Sequence, residues 1–243
     1  PYSGFATETK VNFIQKVSRF IRGNFFIPDP RKGWNRYAYK KAMKILQSEQ
    51  INTIITTGPP HSTHLIGKKL RKKITVKWIA DLRDPWTDIF YYDKFYPTSL
   101  SKKIDTKHER NTFKYADHII VVSNSMKKKY ASKYPQEDPK VSVISNGYDP
   151  DDFKNIQIKK NKNFTIVYTG TMSEIYPMNT FMNAVEYLKE NDLNITIVGN
   201  IHESFVKLIQ KKELQDMFKF TGRLSHQEAL NHMFSADLLL LLI

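Results

Sequence analysis

The strongest constraint on this chain is a run of short apolar segments. Asn52–Thr57, Val76–Ala80, His118–Val122, Val141–Ile144, Thr165–Tyr168, Ile195–Gly199, Phe218–Thr221 and Leu238–Ile243 each have strand length, and most are continuous and rich in Ile and Val. Unbroken apolar strands are those of parallel sheets covered on both faces. Helical patterns lie between them, over Asn35–Gln47, His61–Lys73, Ser99–Tyr115, Ser125–Lys133, Met178–Glu190, Glu203–Lys211 and His226–Phe234. Strand–helix alternation builds βαβ units, so an α/β fold with doubly wound sheets is expected. The rhythm breaks once, at 149–163, which is polar, rich in Lys and Asn, and without period. That stretch reads as a linker between two Rossmann-like domains, 1–153 and 154–243, and 243 residues suffice for two small domains.

Charge divides at the same place. Residues 1–153 hold 28 Lys and Arg against 15 Asp and Glu, whereas 154–243 hold 10 against 9, out of a net +14. An anionic partner is therefore expected for the first half only. The longest apolar run, Leu238–Ile243, is too short to span a membrane and reads as a buried strand. No cysteine is present, which excludes disulfides, thiolate metal sites and cysteine nucleophiles and fits a cytoplasmic protein. No signal-peptide pattern is read in these residues, and a chain opening at Pro1 without Met is expected to lack its true N-terminus.

Three stretches place chemistry at strand ends, where open α/β sheets bind ligands. In "WIADLRDPWTD", 78–88, an apolar strand stops at Asp81, Arg83 and Asp84. Unpaired ions are costly to bury, so these charges form either an ion pair or a site beyond the strand. In "TTGPPHSTH", 56–64, Gly58, Pro59 and Pro60 make a tight turn before a helix. The free N–H groups of that helix could hold a phosphate, with His61 placed to donate a proton or hydrogen bond; the plainer alternative makes Ser62 an N-cap and His61 a surface residue. In "GTMSE", 170–174, a glycine turn suited to an anion follows a strand, but it is neither GxGxxG nor a Walker loop. His61 and His64 lack the companions of a metal site, and Asp151 and Asp152 after Asp149-Pro150 read as helix caps.

Together the motifs resemble glycosyltransferase family 4. "VISNGYDPDDF", 143–153, resembles its interdomain signature. "TTGPPHSTHLIG" and "WIADLRDPWTD" resemble the acceptor-side domain of one bacterial branch, and "IVYTGTM" and "FTGRLSHQEALNHMFSADLLLLLI" resemble blocks of the donor-side domain. The resemblance implies a GT-B fold, two Rossmann-like doubly wound domains facing across a cleft. Both ends are expected to be incomplete: the first strand would precede Pro1, and the family's Glu-x7-Glu segment would follow Ile243.

The resemblance also implies roles. Gly170, Thr171 and Met172 would bind the diphosphate of the donor. Gly199 and Asn200 would form a second donor loop, and Gly222, Arg223 and Leu224 would meet the base. Asp84, Arg83 and His61 would carry acceptor-side chemistry, beside the loop Gly58, Pro59 and Pro60. Thr171 stands where many members carry an Arg, and Tyr176 or Pro177 where they carry a Lys. The expected activity is metal-independent, retaining transfer of a sugar from a UDP- or GDP-linked donor, with no further cofactor, to a lipid-linked or polysaccharide acceptor in bacterial surface glycan synthesis. A GT-B nucleotide-sugar epimerase and a non-enzymatic basic module are the alternatives; nucleic acid is disfavoured because no RNP, KH or helix-turn-helix pattern occurs.

A peripheral position on the anionic inner face of the membrane is expected too. Lys68, Lys69, Lys72 and Lys73 cluster at one helix end, and Lys10–Phe25 is amphipathic. Its Phe13, Ile14, Val17, Phe20 and Ile21 share one arc, with Lys16, Arg19 and Arg22 opposite; that arc would meet either lipid or the domain's own core.

Overall fold

The computed structural model describes residues 12–154, 156–159, 161–173, 176–188 and 192–242. Lys10, at the start of the amphipathic stretch, and Glu190, the expected end of one helix, lie outside them. The chain divides between Gly147 and Tyr148 into two compact units.

The unit Asn12–Gly147 carries a four-stranded parallel sheet in the order β1 (Thr53–Gly58), β2 (Lys77–Leu82), β3 (His118–Val121), β4 (Val141–Val143). Its helices are α1 (Phe13–Phe25), α2 (Asn35–Ser48), α3 (Thr63–Arg71), α4 (Ser99–Tyr115) and α5 (Asn124–Lys133). Polar residues start them. Asn12 and Gln15 form a capping box on α1, Thr98 accepts the Ser101 N–H at the start of α4, and Ser123 accepts that of Met126 at the start of α5. The core lies on one face of the sheet, where Trp78, Ala80, Leu82, Ile119 and Val121 meet Phe113 of α4 and Met126 and Tyr130 of α5. Cover on both faces was expected, but on the opposite face of β1 Ile55 is 62% exposed and Thr57 is also exposed.

The strand β2 runs further than its apolar letters suggest. Thr57 pairs with Asp81 and Gly58 with Leu82, so Asp81 lies inside the strand and is buried. An ion is tolerable there because Arg83 reaches back to it.

The unit from Tyr148 carries a second parallel sheet, ordered β7 (Phe218–Gly222), β6 (Leu193–Val198), β5 (Phe164–Thr169), β8 (Leu238–Leu239). Helices α6 (Met178–Tyr187) and α7 (Glu203–Lys211) pack with Met182, Phe205 and Ile209 on the face carrying Ile166, Tyr168, Ile195 and Ile197. Helix α8 (His226–Phe234), begun by a Ser225/Glu228 capping box, lies on the other face, where Thr169 Oγ1 meets Met233 Sδ. The strand order therefore reverses between β5 and β8, the topological switch of a doubly wound sheet.

Three expectations change in this unit. The segment 149–163, expected to be a linker, is fastened to α8: the Gln157 N–H donates to Asn231 Oδ1, the Lys159 N–H to Ser235 Oγ, and Asn161 Nδ2 to the Ser235 carbonyl. The turn Pro150–Phe153 is capped by Asp149, whose carboxylate accepts the Asp151 N–H, rather than by Asp151 or Asp152. Leu238 and Leu239, expected to be buried, are 44% and 54% exposed because β8 is an edge strand paired only with β5.

Candidate functional site

Each sheet presents chemistry at the carboxyl ends of its strands. In the first unit, Gly58 ends β1, and the Gly58–Pro59 and Pro59–Pro60 bonds are cis. A Cβ on Gly58 would stand 2.6 Å from His64 Nε2 and 3.0 Å from His61 Nδ1, so both rings close over a backbone that only glycine offers. His61 stacks on Trp86 with ring centroids 4.7 Å apart, and its Nδ1 is sealed without a partner. Burial pushes the imidazole down to about 4, so it is neutral at pH 7. His64 lies deeper. Its Nδ1 shares the Thr56 hydroxyl, which also accepts Trp78 Nε1–H, and burial with the neighbouring His61 lowers it to about 3.

Helix α3 does not offer the expected phosphate seat. The Ser62 N–H and hydroxyl both donate to the Asp29 carboxylate, at 2.8 and 2.9 Å. The N–H groups of Thr63, His64 and Leu65 donate to the carbonyls of Pro60, His61 and Ser62. The helix start thus already holds an anion, supplied from Asp29. Ser62 occupies the N-cap position without capping through its own side chain.

Arg83 makes the ion pair that was one of the two alternatives for this loop. Its Nε donates to Asp81 Oδ2 at 3.0 Å and its Nη1 to Asn146 Oδ1 at 2.8 Å, while its backbone N–H donates to the Gly58 carbonyl. Asp84 is half-buried and makes no hydrogen bond or ion pair among the described residues.

Two acids unassigned by the sequence reading hold the following loop. Glu109, fully buried on α4, accepts from the Thr87 N–H and hydroxyl and from the Tyr134 hydroxyl, and pairs with Lys133 at 2.7 Å. Asp105, one turn earlier, accepts Trp86 Nε1–H at 2.8 Å and the Tyr92 hydroxyl at 3.0 Å. Burial raises its carboxyl to about 6 against the opposing pull of those two donors. The local signal was present: Ser101, Asp105, Glu109 and Thr112 recur at helical spacing on the buried face of an otherwise basic helix. Asp29 had no such signal, being 33 residues from the serine it holds.

The second unit presents glycines instead. Gly170, Gly199 and Gly222 follow or end adjacent strands with φ of +140°, +126° and +69°. The Gly170 N–H donates to the Val198 carbonyl and the Gly199 N–H to that of Gly222, which locks the three ends into a row. A Cβ on Gly199 would meet the Gly170 oxygen at 2.1 Å. Gly199, Asn200, Ile201, Phe220 and Gly222 line a cavity of about 440 Å³. Thr171 is half-buried beside it in sequence, Arg223 is exposed and Leu224 half-buried. Met172 is core: fully buried, with its N–H bonded to the Asn200 carbonyl and its carbonyl to the His202 N–H, it anchors the loop and has no group left for a donor.

The lysine cluster falls at a helix end, as its spacing suggests. Lys68, Lys69 and Lys72 stand at the carboxyl end of α3, hence at the opposite edge of the sheet from His61 and Asp84. Lys68 and Lys72 lie over the Tyr115 ring and Lys69 over Tyr39. Partial burial and the nearby Lys72 and Lys107 lower the Lys68 ammonium.

Two parallel α/β units with ligand-competent strand ends define a class, and comparison with known proteins places the chain within it. Residues 5–152 match the model described as Glycosyltransferase Family 4, and residues 149–242 that described as Glycosyl transferases group 1. The chain belongs to glycosyltransferase family 4, and its fold is of the GT-B type. Among solved structures it is similar to sucrose-phosphate synthase from Thermosynechococcus elongatus (13% identity, TM-score 0.59, 86% of this chain and 55% of that one). It is also similar to a glycosyltransferase from Rickettsia africae (17%, 0.57, 96% and 57%) and to HepE of Anabaena in complex with UDP (16%, 0.56, 82% and 55%). The chain thus spans little more than half the length of these structures. No curated protein matches it.

Proposed function

We propose that the chain is part of a retaining glycosyltransferase that takes a sugar from a nucleoside-diphosphate donor. The observation that carries this reading is the row Gly170, Gly199, Gly222, in a chain of this family. Backbone without side chains leaves room for a diphosphate to come close to the strand ends, beside the switch point of the sheet. Arg223, exposed and without an ion pair among the described residues, supplies positive charge next to that row. These are the groups needed where charge builds on the leaving phosphate. HepE, bound to UDP, supports a uridine donor.

On the acceptor side, the new bond forms from an acceptor hydroxyl to the anomeric carbon on the face that the leaving phosphate occupies, as the carbon–phosphate oxygen bond breaks, so the configuration is kept. Asp84 has a carboxylate unclaimed by other groups and can take the hydroxyl proton. His61, kept neutral, hydrogen-bonds a sugar without adding charge. A lipid-linked or polysaccharide acceptor fits the basic first half.

Titration calorimetry with UDP and GDP on the full-length protein tests the donor assignment. Gly170→Val should weaken nucleotide binding at least tenfold, because a β-branched side chain then stands where phosphate must come. Unchanged affinity with an intact fold refutes it.

A further inference from the structure

The helix α1 is mounted inside out. It has one of the most strongly segregated faces in the molecule, yet the side turned inward is the polar one, at Arg19, Arg22 and Asn24, while Lys16 stays exposed. Arg19 is buried, Arg22 lies 4.6 Å over the Phe95 ring, and the Gly23 backbone rests against Phe95. Asn24 clamps the end: its Nδ2 donates to the Tyr96 carbonyl, and its Oδ1 accepts the Thr98 N–H and the Ser101 hydroxyl. The apolar arc faces out, with Phe13, Ile14 and Phe25 more than 70% exposed and Val17, Phe20 and Ile21 more than 40%. Leu100 and Ile104, on the turns of α4 beside the clamp, are exposed as well. A soluble surface helix places these groups the other way round.

We propose that this face is a seat for an anionic lipid surface: α1 lies in the headgroup layer, with Phe13, Ile14, Val17, Phe20 and Ile21 in the acyl boundary. The chemistry of the surroundings selects this occupant. Residues 12–48 hold nine Lys and Arg and a single acid, Asp29, which is already engaged by Ser62. Two copies of so basic a segment repel each other, and a face in which Ile14, Val17 and Ile21 separate the phenylalanines gives bases no continuous stacking platform. A layer of acyl chains under anionic headgroups matches both features. The seat also has a consequence for geometry. The turn Tyr92–Phe95 and the start of α4 stand at the carboxyl edge of the first sheet, the edge that carries His61 and Asp84. Seating α1 therefore brings that edge, and not the Lys68–Lys73 edge, toward the bilayer. The inference does not depend on the donor chemistry proposed above.

Flotation of the full-length protein with vesicles of equal phosphatidylglycerol and phosphatidylcholine tests it. The triple variant Phe13→Ser, Ile14→Ser, Phe20→Ser should lower partitioning at least tenfold with an unchanged melting temperature, since these side chains are exposed. Lys68→Glu with Lys72→Glu should have the smaller effect, and half-molar salt or pure phosphatidylcholine should weaken binding. In Phe20→Trp, the emission in excess of that of the wild type, whose Trp34, Trp78 and Trp86 contribute to both, should shift to the blue only when vesicles are added. The proposal is overturned if the triple variant binds like the wild type or if the lysine variant alone abolishes binding. It is overturned too if that excess emission is blue-shifted without lipid, in a monomer covered by its own chain or in a dimer that the triple variant dissociates.

Discussion

The two strand-end edges solve opposite problems. The edge of the first unit is crowded with side chains: His61 on Trp86, Trp86 on Asp105, Arg83 on Asp81, and Glu109 under the loop. The edge of the second is nearly bare, a row of glycines whose backbone groups are held by their neighbours. On the function proposed above, the first edge would recognise a sugar hydroxyl through directed side chains fixed from behind, and the second would meet a diphosphate with dipoles at close approach. The difference predicts that the first edge fails when a polar support is removed and the second when an atom is added.

The largest effect is expected at Glu109. Glu109→Ala leaves the Lys133 ammonium, two tyrosine hydroxyls and Thr87 without their shared acceptor, and should cost roughly 3–5 kcal/mol in denaturant unfolding. A loss below about 1 kcal/mol would mean that the crowded edge is not held by its buried acid. Next comes Gly199→Ala. The strained φ and the overlap with the Gly170 oxygen should together cost about 2–4 kcal/mol and abolish nucleotide binding in calorimetry. Full nucleotide affinity in that variant would break the claim that the second edge works by bareness.

A third test uses pH. The carboxyl of Asp105 is raised when folded, so the native state holds its proton longer than the unfolded chain does. Its contribution is therefore present below about pH 4 and lost as pH rises through 6, on the order of 2–3 kcal/mol. Asp105→Asn should gain on the wild type by about that amount between pH 4 and 7 in thermal unfolding; a constant gap would show the carboxyl is not perturbed. The smallest effect belongs to Arg83→Met. The pair with Asp81 is partly exposed at the arginine, so stability should change by about 1 kcal/mol or less. Turnover should fall more than stability, because Arg83 stands beside Asp84; equal small changes in both would make Arg83 purely structural.

Much of this was legible in the residues. The alternation of apolar runs and helical stretches located the strands to within one to three residues in most cases, because burial between layers demands unbroken Ile and Val. Gly170, Gly199 and Gly222 were marked by their places after those runs, where a chain must turn sharply. The supports were legible only as a shared helix face, not as partners. Glu109 and Asp105 looked like ordinary acids on a basic helix, and their meaning lies in Thr87 and Trp86, about twenty residues away.

What the sequence determined by itself is therefore the layer structure, the family and the strand ends, all properties of local period and spacing. The tertiary structure decided what each group faces. Asp29 fills the helix start that spacing offered to a phosphate, Met172 turns into the core, and the lysines of α3 stand at the far edge of the sheet. The helix α1 is the clearest case. Its period states which residues share a side and is silent on which side turns inward. That choice rests on Asn24 meeting Thr98 and Ser101 across more than seventy residues of chain. Hydrogen bonds of that reach depend on where the fold brings two segments together, which no local pattern encodes.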